Sequence, residues 1–440
     1  MPRNNLFLLI VVAILSAVCY QKADSANRSE HAQAVETYYK AMQAIEKEYV
    51  QKVDRRQLLE GSLRGMVGEL DEHSAYFNPE QYRHLTESLD QRFGGIGIHL
   101  SVDDETKQLV VTTPLVGTPA YKAGVLAGDK LVKIDDKSTE GFTMEDAVKL
   151  LRGAPGQAVT LTVVHPGTDT PIAIPLEREM IQVPTVLGDT YNEDDSWNFF
   201  LAGSDHIGLL RVTQFGEKTT REMQKALAWL RERKVRGLVI DLRNNPGGLL
   251  EESVSVCDLF VKEGRIVSTR GREADSNVHV SDASGNAPYT DFPIAILVNS
   301  SSASASEIVA ACLQDHSRAV VVGDRTFGKG SVQNLIPLEG GKSAIKLTTA
   351  SYWRPSGKKI HRLKNAKDED EWGVSPDEGY LVKVDRDEAR KVMNDRIRRD
   401  VVRPAANAPK VEAVPDRQME KALEYLEKQL ESPAIKSKAA

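Results

Sequence analysis

After an apolar run at Leu6–Tyr20 broken only by Ser16, apolar residues fall three and four apart, the spacing of one face of a helix. Val35, Tyr38, Tyr39, Met42, Ile45 and Tyr49 predict a helix from Ser29 to about Val50, and Leu58, Leu59, Leu63 and Met66 predict another over 56–69. The pattern breaks at Leu70–Phe77, and Pro79 starts a short helix ending near Leu89. Alternation through Ile96, Ile98 and Leu100 then marks a change to strands, with further strands at 109–113, 131–134 and 159–164 and a helix at 144–151. A second series follows: strand 207–212, amphipathic helix 220–233, buried strand 237–242, helix 249–260, strand 265–270, strand 294–298 and helix 307–314. Apolar 319–323 and strand 343–352 come next, and helices at 388–399 and 416–430 close the chain. Strands alternating with helices predict a mixed α/β core. Polar Glu273–Tyr289 reads as a surface loop, and charged Arg362–Glu371 as a solvated one.

At 440 residues the chain is too long for one ordinary core, so two or three domains are expected. A net charge of −6 gives no basic footprint and argues against nucleic acid as the main partner. The leading apolar run, preceded by Arg3 and followed by polar Gln21–Arg28, fits a secretory signal over residues 1–25, with a signal anchor as the alternative. The remainder is therefore expected to be exported, periplasmic or facing the periplasm from a membrane anchor. Cys19 lies in that leader, and Cys257 and Cys312 sit in apolar contexts as packing residues rather than metal ligands. His73, with no partner at ligand spacing, reads as a structural histidine.

Candidate chemistry gathers at two short runs. Asn299–Ile308 follows an apolar strand and leads into a helix, a junction that can hold a serine above a sheet edge with the next N–H at a helix N-terminus. A serine needs a base, and Lys329 in the Gly328-Lys-Gly330 turn is the best placed by sequence; His316, followed by polar residues, is not. A lysine serves as base only when burial lowers its pKa, to roughly 7 to 8. Ser300, Ser301, Ser302 and Ser306 are the competing readings, as turn and cap formers.

The runs Ser-Ala-Ser-Ala-Ser-Glu, here 302–307 with Ser302, and Thr-Phe-Gly-Lys-Gly-x-Val-Gln, here 326–333, resemble those of the carboxyl-terminal processing peptidases, or tail-specific proteases. The resemblance implies a crotonase-like (ClpP/crotonase-type) α/β catalytic core with an inserted PDZ domain and helical N- and C-terminal extensions. It implies Ser304 as nucleophile, Lys329 as base and Gln333 as support for the lysine, with no metal or organic cofactor. The Asp-Leu-Arg-x-Asn-x-Gly-Gly segment at 241–248 then supplies one oxyanion donor, Gly248 N–H with Gly247 as the alternative, and Ala305 N–H supplies the other.

Gly94 and Gly95 permit a tight loop with exposed N–H groups before a strand, a nest suited to a peptide carboxylate while the peptide adds a strand. The elements from Phe93 onward, with the Ala-Gly-Val-Leu-Ala-Gly-Asp turn at 123–129, resemble a complete PDZ domain. Gly94, Gly95, Ile96, Gly97 and Ile98 are then expected to take the tail, with Ala147, Val148 and Leu151 walling an apolar last side chain. The expected division is 26–92 helical region, 93–178 PDZ domain, 179–400 catalytic core, and 401–440 linker and last helix. Expected partners are polypeptides with exposed apolar C-termini, an adaptor protein and, through the amphipathic helices at both ends, further copies of the chain. A dead-site peptide-binding scaffold is the alternative reading; an acyl-CoA enzyme is disfavoured by the PDZ domain and the complete Ser/Lys/Gln set.

Overall fold

The computed structural model describes residues 31–103, 105–272, 278–367, 369–402 and 414–431. The expected signal segment, the 405–413 part of the linker and the tail after 431 lie outside the described residues. The chain divides into two units, residues 1–78 with 335–347, and residues 79–334 with 348–440.

In the first unit, helix α1 spans 31–48 and helix α2 spans Arg55–Gly68. Asp54 caps α2 by accepting the Arg56 N–H at 2.7 Å, which satisfies one of the orphan donors of the first turn. The break after α2 is built by Asp71, whose carboxylate accepts the N–H groups of His73 and Ser74, both at 2.8 Å. Strand β1 (Ala75–Phe77) follows, pairing antiparallel with residues 344–346.

The second unit opens with α3 (Pro79–Asp90) and β2 (Arg92–Gly95). Then come β3 (Ile98–Val102), β4 (Leu109–Pro114), the short α4 (Pro119–Lys122), β5 (Lys130–Ile134), β6 (Lys137–Ser138), α5 (Met144–Leu151), β7 (Ala158–Val164) and β8 (Pro171–Glu177). These form an antiparallel sheet of order β3-β4-β5-β7-β8, with β6 on β5, around a core of Val111, Ile134, Leu161 and Val163. α5 begins in a capping box between Thr143 and Asp146. It ends on the buried Arg178 guanidinium, which donates to the carbonyls of Leu150 at 2.7 Å and Leu151 at 3.0 Å, a cation at the negative end of the helix. Strand β9 (Glu179–Gln182) returns antiparallel to β2.

The larger core follows as β10 (Val186–Leu187), β11 (Thr190–Tyr191), β12 (Trp197–Asn198), β13 (Ile207–Val212), α6 (Thr219–Glu232), β14 (Gly237–Asp241), α7 (Leu250–Asp258), β15 (Arg265–Gly271), β16 (Val278–Asp282), β17 (Ile294–Val298), α8 (Ala305–Asp315) and β18 (Ala319–Gly323). Its sheet runs β10-β13-β14-β17-β18, the last four strands parallel. Every residue of those four is buried, as expected of a parallel sheet covered on both faces. Met223, Leu227, Val256 and Ile308 of α6, α7 and α8 cover one face.

β19 (Ser331–Leu338), β20 (Ser343–Trp353), α9 (Arg386–Arg399) and α10 (Arg417–Glu431) complete the chain. Ala422 and Leu426 of α10 pack on Leu209, Val239, Leu297 and Val322, covering the other face of the parallel sheet. The apolar stripe of the last helix is thus spent on its own core, which removes it as the expected surface for pairing protomers. Residues 278–282, expected in a surface loop, are instead β16, an exposed edge strand on β15. Residues 362–367 and 369–371 are the expected loop, and Gly373–Asp377 docks on β18, where the Asp377 carboxylate accepts the Val321 N–H at 2.7 Å. Cys257 and Cys312 are free, buried packing residues. Burial, then the neighbouring Cys312, raises the Cys257 thiol well above its ordinary range.

Candidate active site

Three adjacent parallel strands deliver three loops to one edge of the sheet. β14 leads into 243–248, β17 into 299–304 and β18 into 324–330. Loops leaving the carboxyl ends of adjacent parallel strands are where α/β sheets build ligand sites. The sequence motifs meet here because of that topology.

Ser304 is 6% exposed and stands at the N-cap of α8 with φ +54°, a left-handed conformation that a non-glycine residue adopts only where its surroundings impose it. Its rivals are occupied or outside the turn. Ser302 Oγ donates to Leu242 O at 2.8 Å, Ser306 Oγ donates to Asn245 O at 3.0 Å, and Ser300 and Ser301 are exposed. The turn is held from beneath by buried Asn245. Its carbonyl accepts the Ala303 N–H at 3.0 Å, its Nδ2 donates to Val212 O at 2.7 Å and its Oδ1 accepts the Gly247 N–H at 2.9 Å.

Of the two glycines offered as oxyanion donors, Gly247 has its N–H engaged by Asn245 Oδ1. Gly247 also has φ +99°, and a Cβ there would stand 2.7 Å from Ser304 Cβ and 2.9 Å from Ala305 N. The glycine is therefore required by close approach to the serine turn as well as by backbone conformation. Ala305 N–H is the first donor of α8, at the positive end of the helix.

The Lys329 turn is tied to the serine turn by one buried carboxylate. Glu307 Oε2 accepts Ser304 N–H at 2.9 Å and Lys329 N–H at 2.8 Å. Glu307 Oε1 accepts the Thr326 hydroxyl at 2.5 Å and Gly328 N–H at 2.7 Å. Phe327 N–H adds a bond to Ser302 O at 2.9 Å. Two amides on a single oxygen are near neighbours, so the predicted nucleophile and base share one anchor. Burial pushes the Glu307 carboxyl up to about 7, against the pull of these donors. The Lys329 side chain is half-buried. Gln333 lies on β19, where its Nε2 donates to Ser331 Oγ at 2.8 Å and to Thr348 Oγ1 at 3.4 Å.

Two neighbours of the serine escaped the sequence reading. Glu307 carried a signal, the Ser-x-x-Glu spacing of a capping box, which here extends to a second loop. Tyr352 opens the Tyr-Trp-Arg-Pro-Ser-Gly run at 352–357, which nothing local connects with the serine. Its buried phenol is pushed up to about 12 by burial, opposed by a hydrogen bond with the Ser304 side chain.

A second concavity, about 250 Å³, lies between β3 and α5 and is lined by Gly95, Ile96, Gly97, Ile98, Met144, Val148 and Leu151 among others. Gly94 and Gly95 are not the loop expected of them: both belong to β2, paired with Met180 and Glu179. The turn falls at Ile96–Gly97, and Gly94 lines a different cavity with Arg83, His84 and Arg152. Ala147, expected on the groove wall, is wholly buried in the sheet core, because helical spacing puts Met144, Val148 and Leu151 on the groove face instead. Among the described residues no cluster of His, Cys, Asp and Glu is arranged to hold a metal ion, and no helix is long and apolar enough to cross a membrane.

Residues 206–379 match Peptidase family S41, residues 110–164 match the PDZ domain, and residues 14–81 match the Activating protease CtpB N-terminal domain. The chain is 41% identical to a carboxy-terminal-processing protease of Bartonella bacilliformis over 76% of its length and 72% of that protein. It is 33% identical to the carboxy-terminal processing protease CtpB of Bacillus subtilis over 76% of its length and 67% of that protein. A solved photosystem II D1 C-terminal processing protease is 29% identical, covering 78% of this chain and 86% of that one with a TM-score of 0.43. With its mixed α/β core, its PDZ domain and 41% identity over 72% of a carboxy-terminal-processing protease, the chain belongs to the carboxyl-terminal processing peptidases, serine-type peptidases of family S41.

Proposed function

We propose that the protein is an exported endopeptidase that takes the C-terminal tail of a polypeptide in its PDZ groove and cleaves through a Ser304–Lys329 dyad on a crotonase-like core. In this reading neutral Lys329 removes the Ser304 proton as the hydroxyl attacks a peptide carbonyl. Gly248 and Ala305 N–H groups hold the oxyanion, the lysine passes the proton to the leaving amine, and water deacylates the enzyme. One oxyanion donor contributes on the order of 3 kcal/mol to the transition state. Gln333 supports the lysine loop from β19.

The observation that carries this reading is the single carboxylate oxygen shared by the amides of Ser304 and Lys329. No other serine of the run combines a left-handed turn, a helix N-terminus behind it and a direct link to the lysine loop. In the PDZ domain, Ile98 on the open edge of β3 supplies backbone for an added strand, while Val148 and Leu151 supply apolar walls for the last side chain.

The test is cleavage of an unfolded casein-like substrate by the protein and by Ser304→Ala and Lys329→Ala, each checked for native circular dichroism. Both variants are expected to lose cleavage with the fold intact. Full activity in either one rejects its assignment.

A further inference from the structure

We infer that Glu307 is a positioning residue for the proposed reaction: its carboxylate fixes the distance between nucleophile and base by clamping the Ser304 turn and the Lys329 turn to the two oxygens of one side chain. The inference rests on the Ser304–Lys329 reading and adds to it a residue that touches neither substrate nor reacting atoms.

Glu307 is 0% exposed and sits in the first turn of α8, one turn beyond the serine. Its four contacts are all donors, at 2.5 to 2.9 Å, and they come from two chain segments: Ser304 on one side, Thr326, Gly328 and Lys329 on the other. A carboxylate accepts at both oxygens and matches this set; no neutral side chain of the same shape does. An ordinary capping box bonds its glutamate only to the N-cap amide. Here that bond uses half of one oxygen, and the remaining capacity goes to a loop that leaves β18, a different strand from the one that carries the serine.

One further bond joins the two loops, Phe327 N–H to Ser302 O at 2.9 Å; the Glu307 carboxylate adds bonds at Ser304, Gly328 and Lys329 themselves. Ser304 is set by the end of β17 and by Asn245, whereas the flanks of Lys329 are held by later segments: Gly328 O accepts the Arg362 N–H at 2.8 Å and Gly330 O accepts the Tyr352 N–H at 2.7 Å. Thr326 extends the anchor: it donates to Glu307 and accepts the Val374 N–H at 2.8 Å, so the segment at 373–377 is fastened to the same carboxylate. Catalysis by a dyad is sensitive to displacement on the scale of an ångström, and a clamp of this kind supplies that precision.

Glu307→Gln keeps size and shape but turns one acceptor oxygen into an NH2 donor. If that group faces Ser304 and Lys329, it meets both amides directly. If it faces Thr326 and Gly328, the threonine can reverse its bond but the Gly328 amide, next to the lysine, cannot. Either way the lysine turn moves against the serine.

The experiment measures kcat and KM on a tail-bearing peptide substrate for wild type, Glu307→Gln and Thr326→Val. It adds the rate of Ser304 labelling by a fluorophosphonate, thermal unfolding and the affinity of the PDZ domain for a tail peptide. Glu307→Gln is expected to lower kcat at least about tenfold and slow Ser304 labelling in parallel, with KM and tail affinity within about twofold of wild type. Thr326→Val, which leaves Oε2 on both amides, is expected to lose much less.

A folded Glu307→Gln enzyme with wild-type kcat and labelling rate overturns the inference. So does a loss of activity explained wholly by a smaller folded fraction, with the folded enzyme fully reactive. If Ser304→Ala or Lys329→Ala retains cleavage, the dyad reading itself fails; if both are dead and Glu307→Gln is not, only the clamp fails.

Discussion

Replacing Gly247 by alanine tests the oxyanion side of the account without touching a reacting side chain. The residue holds φ +99°, and an added Cβ would lie 2.7 Å from both Ala303 O and Ser304 Cβ and 2.9 Å from Ala305 N, all inside real contact distance. Left-handed strain costs about 1–2 kcal/mol for an L-residue, and forcing a methyl into a packed site costs about 1–3 kcal/mol. The nearest atoms are backbone and the nucleophile's own Cβ, so relief comes from moving the serine turn or the Gly247–Gly248 peptide. Each movement takes one of the two proposed donors off the oxyanion. Loss of one such donor corresponds to about 10²–10³ in kcat, so Gly247→Ala is expected to lose about a hundredfold. Steady-state kinetics should assign the loss to kcat, with tail-peptide affinity measured by fluorescence anisotropy unchanged. Wild-type turnover in a folded Gly247→Ala protein would refute the placement of the oxyanion at this turn.

Other expectations follow from the same geometry. Val148→Asp, a charge on the groove wall, should weaken binding of an apolar-tailed peptide at least tenfold in a titration while leaving the rate of Ser304 labelling unchanged. Leu426→Ala should destabilise the second unit by about 2–5 kcal/mol in denaturant unfolding, because the side chain is wholly buried against the parallel sheet. For Glu307, burial raises the folded-state pKa to about 7 from an ordinary 4.5. Its contribution to stability is therefore fully present below about 4.5 and lost as pH rises through about 7. Relative to Glu307→Gln, wild type should lose on the order of 3 kcal/mol over that interval, read from denaturant midpoints at stepped pH.

Much of this architecture was legible in the chain. The apolar runs at 237–241, 294–298 and 319–323 announced the buried strands, and the Ser and Lys runs follow two of them and meet at Glu307. What escaped depends on pairing. β16 reads as polar loop because it is an edge strand with little burial, so hydrophobic alternation is weak. Gly94 and Gly95 read as a loop because glycine is usually a turn signal, yet close approach of Gly153 O to Gly94 needs glycine inside a strand. The Tyr352 contact depends on how β20 registers against β15, where Tyr352 faces Thr269, and no local pattern encodes that register. Glu307 lay in plain view as a capping residue. Its reach to the lysine turn appears only once β17 and β18 are seen side by side.

The most direct measurement of the central claim is peptide mapping by mass after reaction with a fluorophosphonate, on wild type and Lys329→Ala. The account predicts one adduct, on Ser304, formed by wild type and suppressed in Lys329→Ala. An adduct on another serine, or one that forms on Ser304 at the same rate without the lysine, would contradict it.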